Sequence, residues 1–245
     1  MITFQDISKS YGEVQALHDV SFTIQDGEVF GFVGADGAGK STLLRILLGL
    51  MRPDAGTVTI HGEAPGRVPV GYVAQRFSLY PNLTARENME LMGALYGLDP
   101  QQARDRATEM LNFVGLGKFA DRFAGTFSGG MKQKLALAAA WAHEPKYLVL
   151  DEPTTGVDAV SRREFWQLLY QTQRQGATVV IATPYLDEAS YCHRIAFFDH
   201  GHVLDVATPL AMQRKIGPDA TLEDVFFSLS KGEEAWAITR FKRTV

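Results

Sequence analysis

A glycine-rich segment of eight residues near the amino terminus restricts the fold more than any other part of this chain. It matches the pattern G-x-x-x-x-G-K-[ST] at every fixed position: Gly34-Ala35-Asp36-Gly37-Ala38-Gly39-Lys40-Ser41. The pattern predicts a phosphate-binding loop, because its glycines let consecutive backbone N–H groups face one anion and the following helix adds positive partial charge. Lys40 is expected to reach the β- and γ-phosphates of a triphosphate, and the Ser41 hydroxyl to hold Mg²⁺.

The segments on either side of this loop have the patterns that it requires. Residues 29–33 form an apolar run, which is typical of a strand buried on both faces. Residues 40–50 predict a helix with one apolar face of leucines and with Gly49 near its end. Strand, glycine loop and helix in this order predict an α/β fold, and the alternative is a glycine-rich turn that matches by chance.

The size and composition of the chain narrow the classes of protein to which it can belong. Its 245 residues are enough for one large domain, and 46% apolar with 21% charged residues is ordinary for a globular protein. The net charge of -4 gives no general attraction to nucleic acid. The one cysteine, Cys192, excludes an internal disulfide and fits a reducing compartment. Because no apolar run approaches the ~18 residues of a membrane span and no secretory leader is recognised, we expect a cytoplasmic protein.

Strand and helix patterns divide the chain into an α/β part and a helical insertion. Alternating apolar residues at 20–25 and a short apolar run at 57–60 predict strands near the amino terminus. Residues 84–144 predict three helices, the first of which is opened by a capping box of Thr84 and Glu87. Strand patterns then return, with one helix among them: strands at 147–150, 178–181 and 195–198, and a helix at 159–175.

Two acidic residues follow the apolar strand predicted at 147–150. Asp151 and Glu152 would lie at the carboxyl end of that strand, where α/β sheets bind their ligands. Asp151 fits a partner of Mg²⁺, held through Ser41 or a water, and Glu152 fits the general base that polarises an attacking water. The alternative is that two exposed carboxylates only cap a loop.

A serine and two glycines precede the third helix of the insertion. Ser128 is expected to cap that helix, and the N–H groups of Gly129 and Gly130 would make its first turn a site for an anion. Each glycine in a helical turn costs about 1 kcal/mol relative to alanine, and the close approach of a phosphate would explain both.

These motifs occur in the order that is typical of one family. On the glycine loop, the Ser-Gly-Gly motif at 128–130 and the strand that ends in Asp-Glu, the chain resembles the nucleotide-binding domain of ABC transporters over residues 1–230. The resemblance implies ATP and Mg²⁺ as ligands. It also implies a P-loop NTPase fold with a RecA-like core (1–83 and 145–215), an N-terminal antiparallel β subdomain, an inserted α-helical subdomain (84–144) and a C-terminal helical tail (216–245).

The resemblance assigns roles to further residues. Tyr11 matches the aromatic residue that stacks on adenine, although it could be a surface aromatic. Gln75 matches the glutamine that senses Mg²⁺ and the membrane partner, although it could be an exposed loop amide. Asp158 matches a loop that crosses the interface of a dimer, although it could also cap the next helix. The expected nucleotide contacts are Tyr11, Gly34, Ala35, Asp36, Gly37, Ala38, Gly39, Lys40, Ser41, Thr42, Ser128, Gly129, Gly130 and Asp158; the expected Mg²⁺ ligands are Ser41, Gln75 and Asp151; the expected catalytic residues are Glu152 and Gln75.

One position departs from the family pattern. The family places a histidine after the next strand to grip the γ-phosphate, and the aligned residue here is Pro184. Proline has no side-chain donor, and losing one donor to a transition-state oxyanion typically costs ~100- to 1000-fold in rate, so we expect ATP binding with slow hydrolysis. Thr183 is expected to cap the next helix with Pro184 at its first position, and His193 to be a surface or structural histidine.

The expected function is that of the ATP-hydrolysing subunit of an ABC transporter, working with a transmembrane permease and peripheral on the inner face of the cell membrane. The aromatic segment 77–83 would help to receive the permease, and the alternative is that its rings pack the helical insertion. Residues 127–134 and 221–226 look most like those of bacterial ABC type 2 exporters of drugs, lipids or polysaccharides. Two ATPase domains would sandwich ATP as a homodimer or a heterodimer. The alternatives are a hydrolysis-impaired regulatory subunit and a soluble ABC protein without a transport role; no nucleic-acid partner is expected, and residues 240–243 are expected to be a solvated basic tail rather than a lipid contact.

Overall fold

The computed structural model of the chain describes residues 1–231. The basic segment at 240–243 and the last part of the predicted helical tail therefore lie outside the described residues. The chain forms two compact units, the first made of Met1–Val68 and the residues from Val180 onward, the second of Pro69–Val179. The domain boundaries implied by the family resemblance stay a prediction.

The described residues form nine strands and eight α-helices. In chain order they are β1 (Ile2–Tyr11), β2 (Val14–Ile24), β3 (Val29–Val33), α1 (Lys40–Leu47), β4 (Ala55–Ile60), β5 (Val70–Val73), α2 (Ala85–Leu95), α3 (Pro100–Phe113), α4 (Gly129–Trp141), β6 (Tyr147–Asp151), α5 (Ala159–Arg174), β7 (Thr178–Thr183), α6 (Leu186–Ala189), β8 (Arg194–Asp199), β9 (His202–Ala207), α7 (Pro209–Ile216) and α8 (Leu222–Lys231). Two short 3₁₀ helices, Gly117–Phe119 and Ala124–Thr126, lie between α3 and α4. No helix among residues 1–231 combines the length and the apolar character that a membrane span needs.

The first unit contains the antiparallel β structure expected near the amino terminus. Its three-stranded sheet has the order β2-β1-β4, while β3 runs parallel to β8 and β8 pairs with β9 in antiparallel fashion. Phenylalanine rings fill the space between these strands. The ring of Phe22 on β2 lies 5.7 Å from that of Phe32 on β3, and Phe32 lies 5.2 Å from Phe198 on β8, measured between centroids. This packing fixes β3, the strand that leads into the glycine loop.

The second unit contains the expected helical insertion, here α2 to α4, together with β5, β6 and α5. The predicted capping box is confirmed: the Thr84 side chain accepts from the Glu87 amide, and the Glu87 carboxylate accepts from the Thr84 amide. α3 begins at Pro100 after Asp99, as the sequence predicts. β5 runs parallel to β6, so the carboxyl ends of these two strands lie side by side.

Two predicted helix boundaries are wrong. α1 ends at Leu47 rather than near residue 50, because Gly49 takes the left-handed φ of +71° and stops the helix. Thr183 is not the cap of the helix after β7, since α6 begins at Leu186 with Tyr185 as its N-cap. A residue before proline is restricted to extended conformations, so Thr183 stays in β7 and Pro184 precedes the helix instead of opening it.

Candidate functional site

The glycine loop of the first unit connects the buried strand β3 to α1, as the sequence predicts. No side chain caps α1 at its N-cap residue, Gly39, and no acidic residue lies in its first turn. The first N–H groups of a helix have no partners inside the helix, and here neither the N-cap residue nor the first turn supplies a capping side chain or a carboxylate. The loop therefore offers a helix terminus that suits an anion.

Two glycines of this loop are required by close backbone approaches. A Cβ atom built on Gly34 would lie 2.2 Å from the carbonyl oxygen of Phe198 on β8. Gly39 has a φ of +103°, and a Cβ atom there would lie 2.6 Å from the carbonyl oxygen of Ala16 on β2. Any side chain at either position would displace backbone, so both ends of the loop are held against neighbouring strands.

Lys40 begins α1 with its side chain turned back onto the loop. It is only 3% exposed, and its Nζ atom donates to the carbonyl oxygens of Gly34 at 2.7 Å and Ala35 at 2.8 Å. These bonds compensate the burial of an ammonium group and hold a positive charge inside the loop. Of the remaining expected contacts, Ala35, Asp36 and Gly37 are exposed, Ser41 is half-buried, and Ala38 and Thr42 are buried.

Tyr11 lies at the end of β1, where the hairpin turns toward Val14 on β2. Its side chain is exposed, and its hydroxyl donates to the Met51 sulfur at 3.0 Å. The same strand β2 continues to Ala16, whose carbonyl oxygen is the neighbour of Gly39. The hairpin that carries Tyr11 is thus continuous with a strand that touches the glycine loop.

Gln75 and Glu152 meet at the carboxyl ends of β5 and β6 in the second unit. The Nε2 atom of Gln75 donates to an Oε atom of Glu152 at 2.9 Å. The contact follows from the parallel pairing, in which Val73 lies opposite Leu150, so that the residues just beyond each strand are neighbours. In this bond the Gln75 nitrogen is the donor and the Glu152 carboxylate is the acceptor.

Glu152 has an unusual backbone. Its φ is +49°, in the left-handed region that a non-glycine residue rarely adopts, and the residue is only 6% exposed. The Thr155 amide donates to the Glu152 carbonyl at 3.3 Å, and the Thr155 hydroxyl approaches its carboxylate at 3.4 Å. Asp151, the last residue of β6, is 2% exposed. Two adjacent carboxylates are therefore buried together at one strand end, which excludes the alternative of exposed loop caps.

The two glycines at the start of α4 have different surroundings. Ser128 caps the helix, as predicted, because its hydroxyl oxygen accepts a hydrogen bond from the Met131 amide at 3.3 Å. A Cβ atom on Gly130 would lie 2.7 Å from the Cβ atom of Ser161 on α5, so helix packing accounts for this glycine. Gly129 is exposed, and among residues 1–231 the atom nearest to a Cβ built there would be the Gly156 carbonyl oxygen at 3.6 Å, so packing does not require a glycine at this position.

Asp158 caps α5, one of the two roles considered for it. Its side chain accepts from the Ser161 amide at 2.9 Å, and this bond holds the pKa of the carboxyl below its ordinary value. The loop that precedes Asp158 lies against the first turn of α4, since Val157 and Gly156 are the neighbours of Gly130 and Gly129. The second unit thus brings the Ser-Gly-Gly motif and the loop of Asp158 together.

Pro184 follows the end of β7 in the first unit. The Gly34 amide donates to the Thr183 carbonyl at 3.4 Å, so the chain reaches Pro184 directly beside the glycine loop. The Thr183 hydroxyl donates to the Glu188 carboxylate at 2.6 Å, and both residues are fully buried. His193 does not replace the missing donor, because its Nδ1 atom accepts from the amide of Val29 at the opposite end of β3.

Sequence reasoning missed one contact of the glycine loop. Gly201, in the turn between β8 and β9, donates from its amide to the Ala38 carbonyl at 3.2 Å. Its φ of +79° requires a residue that tolerates the left-handed region. The sequence D-H-G-H at 199–202 is typical of a tight turn, but nothing in it says which loop the turn touches.

Comparisons with known proteins agree on one family. Residues 17–155 match the family model described as ABC transporter. The linearmycin resistance ATP-binding protein LnrL of Bacillus subtilis is 36% identical over 230 residues, covering 91% of this chain and 74% of that protein. The Nod factor export ATP-binding protein I of Burkholderia lata is 37% identical over 257 residues, covering 98% of this chain and 84% of that protein. Among solved structures, a dimeric ATP-binding cassette in a post-hydrolysis state with ADP and Pi has a TM-score of 0.77 and 32% identity, over 85% of this chain and 98% of that one.

Proposed function

The chain belongs to the ABC transporter family, and on this premise we propose that it is the ATP-hydrolysing subunit of an exporter that works with a separate membrane-spanning subunit. The observation that carries the proposal is the glycine loop, in which buried Lys40 and the α1 terminus without a side-chain cap present positive charge at one place. In this role the loop holds the phosphates of ATP, and Tyr11 stacks on the adenine.

The residues that the family resemblance assigns to Mg²⁺ carry donor groups that fit this ion. Ser41, Asp151 and Gln75 offer hydroxyl, carboxylate and amide oxygens, which are hard ligands of the kind that Mg²⁺ prefers. Bound by them, Mg²⁺ would neutralise charge on the β- and γ-phosphates. Burial of Asp151 supports this role, because a buried carboxylate gains from a cation.

Hydrolysis requires a base, and we assign it to Glu152. The carboxylate accepts a proton from water as the water oxygen bonds to the γ-phosphorus and the bond to the ADP oxygen breaks. Gln75 supports this role by donating to Glu152 at 2.9 Å, which orients the carboxylate and keeps it an acceptor. Pro184 offers no donor to the γ-phosphate, so we expect the site built on this loop to turn over slowly.

A dimer would complete each site. In that assembly Ser128, Gly129 and Gly130 contact the γ-phosphate held by the opposite subunit, and Asp158 lies at the interface. The exposed and sterically open Gly129 supports this role, as does the likeness to a dimeric cassette. The partner is a second copy of this chain or a relative. With a relative as partner, the Ser-Gly-Gly motif of this chain would contact the γ-phosphate that is held in the relative's loop.

The membrane-spanning partner would be received by the second unit. Tyr80 and Phe123, which are 55% and 56% exposed, lie on neighbouring segments, because the Ala124 amide donates to the Leu83 carbonyl at 2.9 Å. Exposed aromatic rings of this kind suit a docking surface. The names of the two relatives, which speak of linearmycin resistance and Nod factor export, support an exporter.

The proposal is tested by steady-state ATP hydrolysis of the purified full chain. We expect slow turnover that Glu152→Gln reduces further by at least about 100-fold without loss of ATP binding, as removal of a general base does. Glu144→Gln is the matched control, since Glu144 shares the left-handed φ of +49° but is exposed and lies after α4. Failure of the wild type to bind ATP would overturn the proposal.

Pro184 also favours a second candidate, a regulatory subunit that binds ATP but hardly hydrolyses it. Turnover equal to that of Glu152→Gln, with ATP still bound, would select this role. Turnover restored by adding a related ATPase subunit would then identify a heterodimer. Co-purification of the chain with a membrane protein separates both roles from a soluble ABC protein without a transport role.

A further inference from the structure

Three segments of the first unit meet behind the glycine loop: β2, the end of the loop, and the turn between β8 and β9. The His18 amide of β2 donates to the Gly201 carbonyl at 2.9 Å, and the Gly201 amide donates to the Ala38 carbonyl at 3.2 Å. The peptide groups of one turn residue thus link β2 to the glycine loop.

This junction has no free space at its centre. A Cβ atom on Gly201 would lie 2.8 Å from the Ala16 carbonyl oxygen, and one on Gly39 would lie 2.6 Å from the same oxygen. The turn and the loop therefore press against one peptide group of β2 from two directions. A shift of the turn relative to β2 would have to move the end of the loop with it, because packed backbone has no slack to absorb the change.

Two histidine rings close this junction at its side. His18 on β2 and His202, the residue after Gly201, stack with ring centroids 4.1 Å apart and planes 10° from parallel. We propose that the stacked pair His18–His202 positions the glycine loop through Gly201 and thereby raises its affinity for nucleotide. The inference rests on the proposed function of the loop as an ATP site, and it makes His18 and His202 positioning residues, not ligands of ATP.

The two rings suit this role because each adjoins the hydrogen-bonded turn. His18 contributes both a ring of the stack and the amide that binds the Gly201 carbonyl, while His202 follows Gly201 directly. The stack thus adds a side-chain contact to the backbone contact at the same place. Without it, the turn would lose one of the contacts that hold it to β2 and would sample a wider range of positions.

The test measures the dissociation constant of a fluorescent ATP analogue with Mg²⁺, using the full chain. We expect His202→Ala to raise this constant about 2- to 10-fold, the range that corresponds to the loss of one stacked aromatic pair. The turnover number at saturating ATP should change less than the dissociation constant, because bound nucleotide itself holds the loop in position. A role confined to stability would lower the melting temperature and leave the dissociation constant unchanged, and that result would overturn the inference.

Two further variants keep the test decisive. The double variant His18→Phe/His202→Phe restores two stacking rings and should recover at least half of the lost affinity, whether or not His202→Ala folds well. His200→Asn is the matched control in the same turn: its side chain is 91% exposed, and asparagine tolerates the φ of +44° at this position. Weaker binding by the double variant than by His202→Ala would contradict the inference, whereas no binding by the wild type would overturn the proposed function.

Discussion

The backbone amide of Gly34 donates a hydrogen bond to the carbonyl oxygen of Thr183 at 3.4 Å, which connects the first glycine of the glycine loop to the residue before Pro184. The Thr183 hydroxyl is bonded to the fully buried Glu188, so the strand end is fixed by a backbone bond and a side-chain bond. Position 184 therefore adjoins the loop whatever its side chain is. The slow hydrolysis that we propose is a matter of the missing donor and not of a displaced backbone.

Replacing Pro184 by histidine should raise ATP turnover. A donor placed at this position can stabilise charge that develops on the γ-phosphate. We expect turnover to rise about 10- to 100-fold, somewhat less than the loss that typically follows removal of such a donor. The measurement is steady-state hydrolysis at saturating Mg-ATP. Pro184→Ala is the control, because it removes the ring without adding a donor. Equal turnover of both variants, with unchanged melting temperatures and ATP affinity, would refute the prediction.

The two glycines that begin α4 should respond differently to alanine. Gly130→Ala pushes a methyl group against Ser161 and should lower the free energy of unfolding by about 1–3 kcal/mol. Gly129→Ala meets no atom closer than 3.6 Å and should leave stability unchanged or raise it by up to about 1 kcal/mol, while reducing ATP turnover. Urea unfolding and hydrolysis measured on both variants separate packing from ligand contact. Full turnover in Gly129→Ala would contradict the phosphate contact that we propose for Gly129.

The left-handed backbone conformation of Glu152 should lower the free energy of unfolding of the protein. We expect Glu152→Gly to abolish turnover and to raise the free energy of unfolding by about 1 kcal/mol, because glycine adopts a φ of +49° without strain. Glu144→Gly, at the same φ but outside the site, should stabilise the protein by a similar amount with turnover intact. A less stable Glu152→Gly would mean that the bond from Gln75 outweighs the strain.

His143 should make the second unit sensitive to acid. Its ring stacks on Tyr96 with centroids 3.8 Å apart, and neither ring nitrogen has a hydrogen-bond partner within residues 1–231. Burial, and secondly the charge of Arg106, lower the pKa of His143 below its ordinary value. The unfolded chain therefore binds the proton more readily, so stability should fall as the pH drops below about 6.5 and continue to fall until the folded-state pKa is passed.

The measurement is urea unfolding at pH 7 and at pH 5. His143→Phe retains a ring against Tyr96 and removes the titration, so its free energy of unfolding should fall less between the two pH values than that of the wild type. His200→Asn, which removes an exposed imidazole, should behave like the wild type. An identical pH dependence in the wild type and His143→Phe would show that another group is responsible.

The sequence is sufficient to predict a local structure when the residues that determine it are close together in the chain. The apolar run at 29–33, the glycine loop and the capping box at Thr84 were all recognised, because each depends on residues a few positions apart. β1 was not recognised as a strand. Its alternation of Ile2 and Phe4 is broken before Ile7 by an irregularity in pairing at Asp6, where φ is +51°, and a pattern of period two cannot represent that extra residue.

Contacts between distant segments were beyond sequence reasoning. Gln75 was assigned from the family resemblance, but its bond to Glu152 depends on the parallel pairing of β5, a strand of only four residues with a weak pattern. In the same way, the sequence suggests a phosphate as the reason for glycine at position 130, and the fold adds a second reason, the close approach of Ser161 on α5. A glycine reports that something approaches closely, and only the fold tells whether it is a ligand or another helix.

The folded-back position of Lys40 has a consequence for which nucleotides can compete for the loop. The ammonium group already has two carbonyl partners, so a ligand gains from it only by offering oxygens that attract the charge more strongly. A nucleoside has no such oxygens, and a monophosphate carries fewer than a triphosphate. We therefore expect the protein to bind adenosine, AMP and ADP more weakly than ATP, because a ligand with fewer phosphate oxygens competes less well with the carbonyl partners of Lys40.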